Sequence, residues 1–186
     1  MIDFLEQVTN CSHYSAVATD FAQTWQQYAS SSDPAPHYKM SFNVVPGVKD
    51  SWSIKYNLLW QPLLGLGDKP FPWEKVAGTE LSYYASRANR FGVPMDPRHT
   101  YVKTDWLSWA AAMASTMASP ATNVTFEAFM SPIFDAVNTT ESRQPFTDLY
   151  DTTNAVQTFD NSFVARPVIG GIFAHALVQE GTGQTN

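Results

Sequence analysis

The sequence predicts an all-α fold, and three observations predict it. Apolar residues recur at spacings of three and four through most of the chain. The segments that carry this period end at glycine, proline or serine clusters. Hydrophobic residues make up 44% of the 186 residues and aromatic residues 14%, so a packed core is within reach and general disorder is excluded. Charged residues are only 15%, against roughly 25% in an average soluble domain.

Tyr14, Val17, Ala18, Phe21, Trp25 and Tyr28 place an amphipathic helix over about residues 13 to 30, ended by Ser30-Ser31-Ser32-Asp33-Pro34. Tyr38 to Phe42 and Ser51 to Ile54 have extended character and flank Pro46-Gly47, which predicts a small hairpin. A second helix over about Lys55 to Leu64 carries Tyr56, Leu59, Trp60 and Leu63 on one face and stops at Gly65 and Gly67. A third starts at Pro72 or Trp73, since proline suits a first helical turn. Its apolar face is Ala77, Leu81, Tyr84, Ala88 and Phe91, with Gly92 as the stop. A fourth begins at Thr104 or Asp105 and carries Trp106, Trp109, Ala110, Met113 and Met117. A fifth carries Phe126, Phe129, Met130, Ile133 and Val137, and Pro132 must kink it or restart it after Ser131. The last begins at Arg166-Pro167 and carries Val168, Ile169, Ile172, Phe173, Ala176 and Leu177, before a flexible polar tail over 181–186. Two long irregular links remain, Phe91 to Lys103 and Thr139 to Ala165. Links of that length in a compact domain are functional or misassigned.

Composition excludes several functions. A net charge of -6 with scattered Lys and Arg argues against nucleic acid, whose phosphates need basic patches. No apolar run reaches the ~18 residues of a membrane span. The single Cys11 excludes an internal disulfide and a cysteine-based zinc site, and it lies in a polar stretch unlike that of a nucleophile. His13, His37, His99 and His175 show no metal-ligand spacing, and His175, between Phe173 and Leu177, reads as a hydrogen-bonded core or rim residue. Phosphate-binding glycine loops, the nucleophile elbow and the paired-histidine zinc motif are absent, so no metal and no cofactor is expected. Met1 to Tyr14 has neither a basic region nor an apolar core, so the chain lacks a signal peptide. Sequons at Asn10, Asn123 and Asn138 barely exceed chance.

The chemistry concentrates in the two links. Asp96, Arg98, His99, Lys103 and Asp105 lie within ten positions of the first. The second holds Asp148 and Asp151, with Arg166 at the mouth of the last helix. Carboxylates here suit general acid and base work, and Arg98 and Arg166 suit bidentate grip of a substrate carboxylate. Each has a plainer role: Asp105 beside Thr104 as a helix cap, Asp96 before Pro97 in a turn, Asp148 and Asp151 as Asx turns, and both arginines as their partners. Trp52, Trp60, Trp106 and Trp109 read as core, with one or two at a pocket rim, and Lys55 and Asn57 can face a cleft.

Four stretches carry a resemblance. Trp52-Ser-Ile-Lys-Tyr-Asn-Leu-Leu-Trp60 followed by Leu63-Leu-Gly-Leu66 resembles the fungal glutaminase A family. So do Tyr83-Tyr84 with Phe91-Gly-Val-Pro-Met-Asp-Pro-Arg-His-Thr-Tyr-Val-Lys-Thr-Asp-Trp106, Pro145-Phe-Thr-Asp-Leu-Tyr-Asp-Thr152, and Phe163-Val-Ala-Arg-Pro-Val-Ile-Gly-Gly171. Met95 and Pro97 depart from the leucine and serine expected there. The resemblance covers about Tyr14 to Leu177. It implies an (α/α) helical-hairpin toroid preceded by β-rich domains, in a secreted or wall-associated hydrolase that releases ammonia from glutamine. A ring of twelve helices needs on the order of 300 residues. Residues 1–180 are therefore expected to form the C-terminal part, about half, of a six-hairpin barrel. This part would pack against the upstream β-rich domain and the remaining hairpins of the same chain.

The expected activity is that of a fragment of an amidohydrolase acting on glutamine or a related small amide. Asp96 or Asp148 would serve as base and Asp151 or His99 as acid. Arg98 or Arg166 would hold the α-carboxylate, with Lys103 a further substrate contact. Two alternatives stand beside it: a six-hairpin glycosidase-like protein with paired carboxylates, and a non-catalytic truncated scaffold.

Overall fold

The computed structural model describes residues 14–42, 51–118, 124–157 and 163–181. Six α-helices lie among them: α1 Ser15–Ala29, α2 Trp60–Leu63, α3 Trp73–Ser86, α4 Thr104–Thr116, α5 Phe126–Thr139 and α6 Ala174–Gly181. A 3-10 segment, Tyr56–Leu59, leads into α2, and another, Pro167–Phe173, leads into α6. Strands β1, Tyr101–Lys103, and β2, Leu149–Asp151, form a two-stranded antiparallel sheet, so the fold is mostly helical rather than wholly so. Cys11, His13, the Asn10 and Asn123 sequons, the Pro46-Gly47 turn and the tail beyond Gly181 lie outside the described residues.

Helix α4 is the hub. It packs against α3, α5, α6 and both 3-10 segments. Leu107, Ala110, Ala111, Ala112 and Met113 are all fully buried, so the burial runs around the helix and is not confined to one stripe. Alanine makes this possible, because a methyl side chain lets neighbouring backbones approach from several sides. Trp106 and Trp109, expected on the inward stripe, are only half-buried.

Four other expectations are corrected, and one choice left open at Pro132 is decided against a restart. In α1 the buried residues are Ala18, Ala22 and Ala29, while Tyr14, Val17, Phe21 and Tyr28 are exposed. The helix is held by Trp25, which stacks on Tyr38 at 4.8 Å and meets Phe71 edge-on. Helix α3 stops at Ser86 rather than Gly92, because Asn89 and Gly92 exchange backbone hydrogen bonds and turn the chain back. Gly92 has φ +122, and a Cβ there would lie 2.6 Å from Leu107 Cδ2. Helix α5 runs through Pro132 without restarting, anchored by a hydrogen bond from Ala128 N to Thr125 Oγ1 and by buried Phe129, Ile133 and Ala136. The last helix opens as a 3-10 segment, its backbone drawn tight against α4 at Gly171. No strand forms over Tyr38–Phe42 or Ser51–Ile54, although Met40 N donates to Ser51 O at 3.0 Å.

One buried polar group ties the first third together. Glu80 on α3 is fully buried. Its Oε1 accepts from Tyr38 N at 2.6 Å, and its Oε2 from Lys55 Nζ at 2.9 Å and the Tyr84 hydroxyl at 2.5 Å. Burial lowers the Lys55 ammonium, with Glu80 opposing, and raises Tyr84 well above its usual value, with Glu80 adding to the rise. Replacing one member of a buried ion pair strands the other. Glu80→Gln should therefore destabilise the fold by about 3 kcal/mol, read as a lowered urea midpoint at unchanged slope.

Candidate functional site

The sheet brings the two irregular links together. Tyr101 pairs with Asp151, Val102 with Tyr150 and Lys103 with Leu149. The ladder extends at both ends: Thr152 N donates to Thr100 O at 2.9 Å, and Thr104 N donates to Asp148 O at 3.0 Å. On the other side Asp148 N donates to Phe163 O at 2.8 Å, and Ala165 N to Phe146 O at 2.9 Å. Ala165 has φ +51, a left-handed conformation unusual for a residue with a Cβ, and the next residue is Arg166.

Asp148 lies at the centre of this junction with its side chain fully buried. Lys103 Nζ is 2.9 Å from Oδ2 and Arg166 Nε is 3.3 Å from Oδ1. Neither carboxylate oxygen accepts an aligned hydrogen bond, so both cations sit off the lone-pair directions. The Phe163 ring supports them, with the Arg166 guanidinium 4.7 Å and the Lys103 ammonium 5.8 Å from its centroid. The Arg166 side chain remains 37% exposed and that of Lys103 16%, so both can still meet a ligand. The first turn of α4 adjoins the cluster. Thr104 Oγ1 donates to Thr147 O at 3.0 Å, and Asp105 follows.

The structure divides the residues that the sequence reading grouped. Lys103, Asp148 and Arg166 come together. Asp96 and Arg98 pair with each other inside the turn before β1: Arg98 Nε reaches Asp96 Oδ1 at 2.9 Å and Nη2 reaches Oδ2 at 2.6 Å. Arg98 thereby holds the buried Asp96 carboxyl below the usual aspartate range, against the opposing effect of burial. No ion pair links either residue to Asp148 among the described residues. His99 is exposed and stacks on Tyr101 at 4.7 Å. Asp151 organises the turn after β2: Oδ2 accepts from Thr100 Oγ1, and Oδ1 accepts from Thr153 N at 2.7 Å and Thr153 Oγ1 at 2.5 Å. Burial pushes its carboxyl up, but these bonds outweigh it and leave it below the usual range.

Sequence reasoning weighed Asp105 as a helix cap and as a member of the polar cluster. It instead lies inside the first turn, and the cap position is Lys103, which makes no capping bond. Burial raises the Asp105 carboxyl, Lys103 and nearby backbone N–H groups oppose, and Asp148 adds to the rise. Phe163 and Gly171 were noted only within longer motifs. A Cβ on Gly171 would lie 2.7 Å from Asp105 Cβ and 2.9 Å from Trp109 Nε1. The adjacency of Lys103-Thr104-Asp105 was the available signal for this corner.

A cavity of about 640 Å³ is lined by Trp25, Lys55, Tyr56, Asn57, Phe71 and Trp106 among others, and by none of the three cluster residues. Tyr56 stacks on Trp106 at 4.4 Å. Lys55 and Asn57 thus face a hollow, although the Lys55 ammonium is committed to Glu80 and Tyr38 O. His175 Nδ1 is 2.9 Å from Ser115 Oγ, with the ring against Phe126. Among the described residues, no His, Cys, Asp and Glu side chains are grouped to hold a metal ion, and no helix is long and apolar enough to cross a membrane.

Two variants test this geometry. Gly171→Ala should force the 3-10 segment off α4 and destabilise by about 1–3 kcal/mol, measured by thermal unfolding. Asp96 has a lowered folded pKa, so its stabilising effect is present above the unfolded value and lost as pH falls through the folded one. Asp96→Asn should therefore be less stable near neutrality, and its unfolding midpoint should fall less steeply than the wild type's below about pH 4.

Comparisons with known proteins bear on this site. Residues 1–176 match the glutaminase A six helical-hairpin domain. The chain is 32% identical to glutaminase A of Aspergillus oryzae over 89% of its own length and 22% of that protein. It is 25% identical to a probable glutaminase of Arthroderma benhamiae over 97% of its own length and 22% of that protein. It thus spans about a fifth of the length of these curated relatives. No solved structure matches it.

Proposed function

The chain belongs to the glutaminase A six helical-hairpin domain family, and on that premise we propose that it is part of an amidohydrolase that converts glutamine, or a closely related small amide, to the acid and ammonia. The observation that carries this reading is the buried Asp148 carboxylate with Lys103 and Arg166 gathered on it. Arg166 meets Asp148 through Nε, and its partly exposed guanidinium has further donors for a ligand. A guanidinium and an ammonium side by side suit the α-carboxylate of an amino acid. Asp148 orients both cations and offsets their mutual repulsion.

The same reading covers the architecture. The exposed apolar side chains of Tyr14 and of Val17, Phe21 and Tyr28 in α1, with Phe173 and Leu177 near the other end of the chain, are surface that helical neighbours would cover. We assign them to the remaining hairpins of an (α/α) ring, of which this chain supplies about half, with β-rich domains upstream. The full-length protein would be secreted or wall-associated.

The test is ammonia release from L-glutamine by the purified protein, beside sugar release from a glycan panel. Ammonia without sugar is the expected result. Lys103→Ala and Arg166→Ala should each raise KM for glutamine about tenfold or more, with a smaller effect on kcat, since they remove ground-state binding. Sugar release would transfer the assignment to a glycosidase. A cooperatively folded protein that neither turns over nor binds L-glutamine would leave only the scaffold role.

A further inference from the structure

Helix α5 has an outer face that the amide site does not use. Phe129, Ile133 and Ala136 turn to the core. Glu127, Ser131, Phe134 and Asn138 follow one another at spacings of four and three on the opposite side, and all are exposed. The Phe134 ring is 67% exposed, so the helix presents an aromatic surface to solvent. Asn138 opens the pattern Asn138-Thr139-Thr140, the sequon of the chain whose residues are all described. By pattern alone a sequon carries little weight, but three structural features single this one out. The Asn138 side chain is exposed, and its amide has no partner among the described residues. The chain leaves the helix at Thr140, with φ -59 and ψ 134, so no further helical turn shadows the amide. Side chains on a helix lean toward its N-terminus, which tilts Asn138 over the turn that holds Phe134.

We propose that Asn138 carries an N-linked glycan and that the first sugar of this glycan packs on the Phe134 ring. The proposal rests on the secretory route in the reading above, since the transfer takes place in the compartment that secreted chains cross. An oligosaccharyltransferase catalyses it, and a lipid diphosphate-linked oligosaccharide is the donor. The Asn138 side-chain nitrogen bonds to the anomeric carbon of the donor. The bond from that carbon to the diphosphate oxygen breaks with its electron pair on the diphosphate, and the amide nitrogen gives up one proton to a base of the transferase. Thr140 supplies the hydroxyl that the acceptor pattern requires. One face of the attached N-acetylglucosamine ring carries only C–H bonds, and an exposed aromatic ring is a surface that such a face buries against. The glycan thus covers Phe134 and keeps the outer face of α5 toward solvent. That separates this face from the exposed side chains of α1 and from Phe173 and Leu177, which the same reading gives to neighbouring helices.

The experiment recovers the protein from the producing cells and from their medium. Peptide-N-glycosidase in heavy-oxygen water then labels each glycosylated asparagine as it turns into aspartate. Mass spectrometry should find the label on the peptide that holds Asn138, and Thr140→Ala should abolish it. Asn138→Gln should lower the melting temperature of the secreted protein by about 2 °C. The same substitution in a Phe134→Ser background should change it little, because the contact is already gone. An unlabelled Asn138 in secreted protein overturns the proposal and leaves the amidohydrolase reading in place. Protein held inside the cells without label at any sequon removes the secretory route and the proposal together, while ammonia release from L-glutamine still judges the activity. A labelled Asn138 with an equal loss of melting temperature in both backgrounds, or with none in either, overturns the contact with Phe134.

Discussion

A carboxylate sealed from water holds the junction of the two links. An isolated buried charge is prohibitively unfavourable, and cations close by make it tolerable. Asp148 meets Lys103 from one link and Arg166 from the end of the other. The three-residue ladder between β1 and β2 is too short to be stable on its own. It persists because ion contacts at Asp148 and backbone bonds to Phe163 and Thr104 close around the same residue. The strained backbone of Ala165 belongs to this constraint, since it turns the chain so that Arg166 faces Asp148.

The ladder needs a firm base, and α4 provides it. Lys103 ends β1 and immediately precedes α4, so the strand and the hub helix are continuous. The helix is buried on all sides by alanines, which transmits the position of the core to Lys103, Thr104 and Asp105 with little slack. Gly171 fits the remaining side, where its lack of a Cβ brings the Pro167–Phe173 backbone onto Asp105 and Trp109. Arg166 immediately precedes that segment. Packing at Gly171 and charge at Asp148 therefore hold the same residue from two directions.

Much of this was legible from spacing alone. The buried residues of α3 and α5 largely follow the apolar period, and the two links with the residue after the second carry the cluster Lys103, Asp148 and Arg166. What failed has identifiable causes. The stripe of α1 lies largely exposed because its alanines, not its aromatics, make the close contact. The end of α3 was misplaced because Gly92 resembles a helix stop while its φ and its hydrogen bonds serve a turn. Three-residue strands carry too little alternation to be seen. Asp96 and Arg98 looked like part of the site because they share its motif, yet a separation of two residues lets them satisfy each other locally. Asp105 looked like a cap because Thr-Asp at a helix start usually is one.

The charge balance at the junction argues for its ligand. Lys103 and Arg166 offset the buried Asp148 carboxylate, and the Arg166 side chain remains partly exposed. A guanidinium so placed would hold an anionic group in a fixed plane. Lys103 also opposes the rise that burial gives the Asp105 carboxyl. It therefore ties the end of β1 and the start of α4 to both carboxylates.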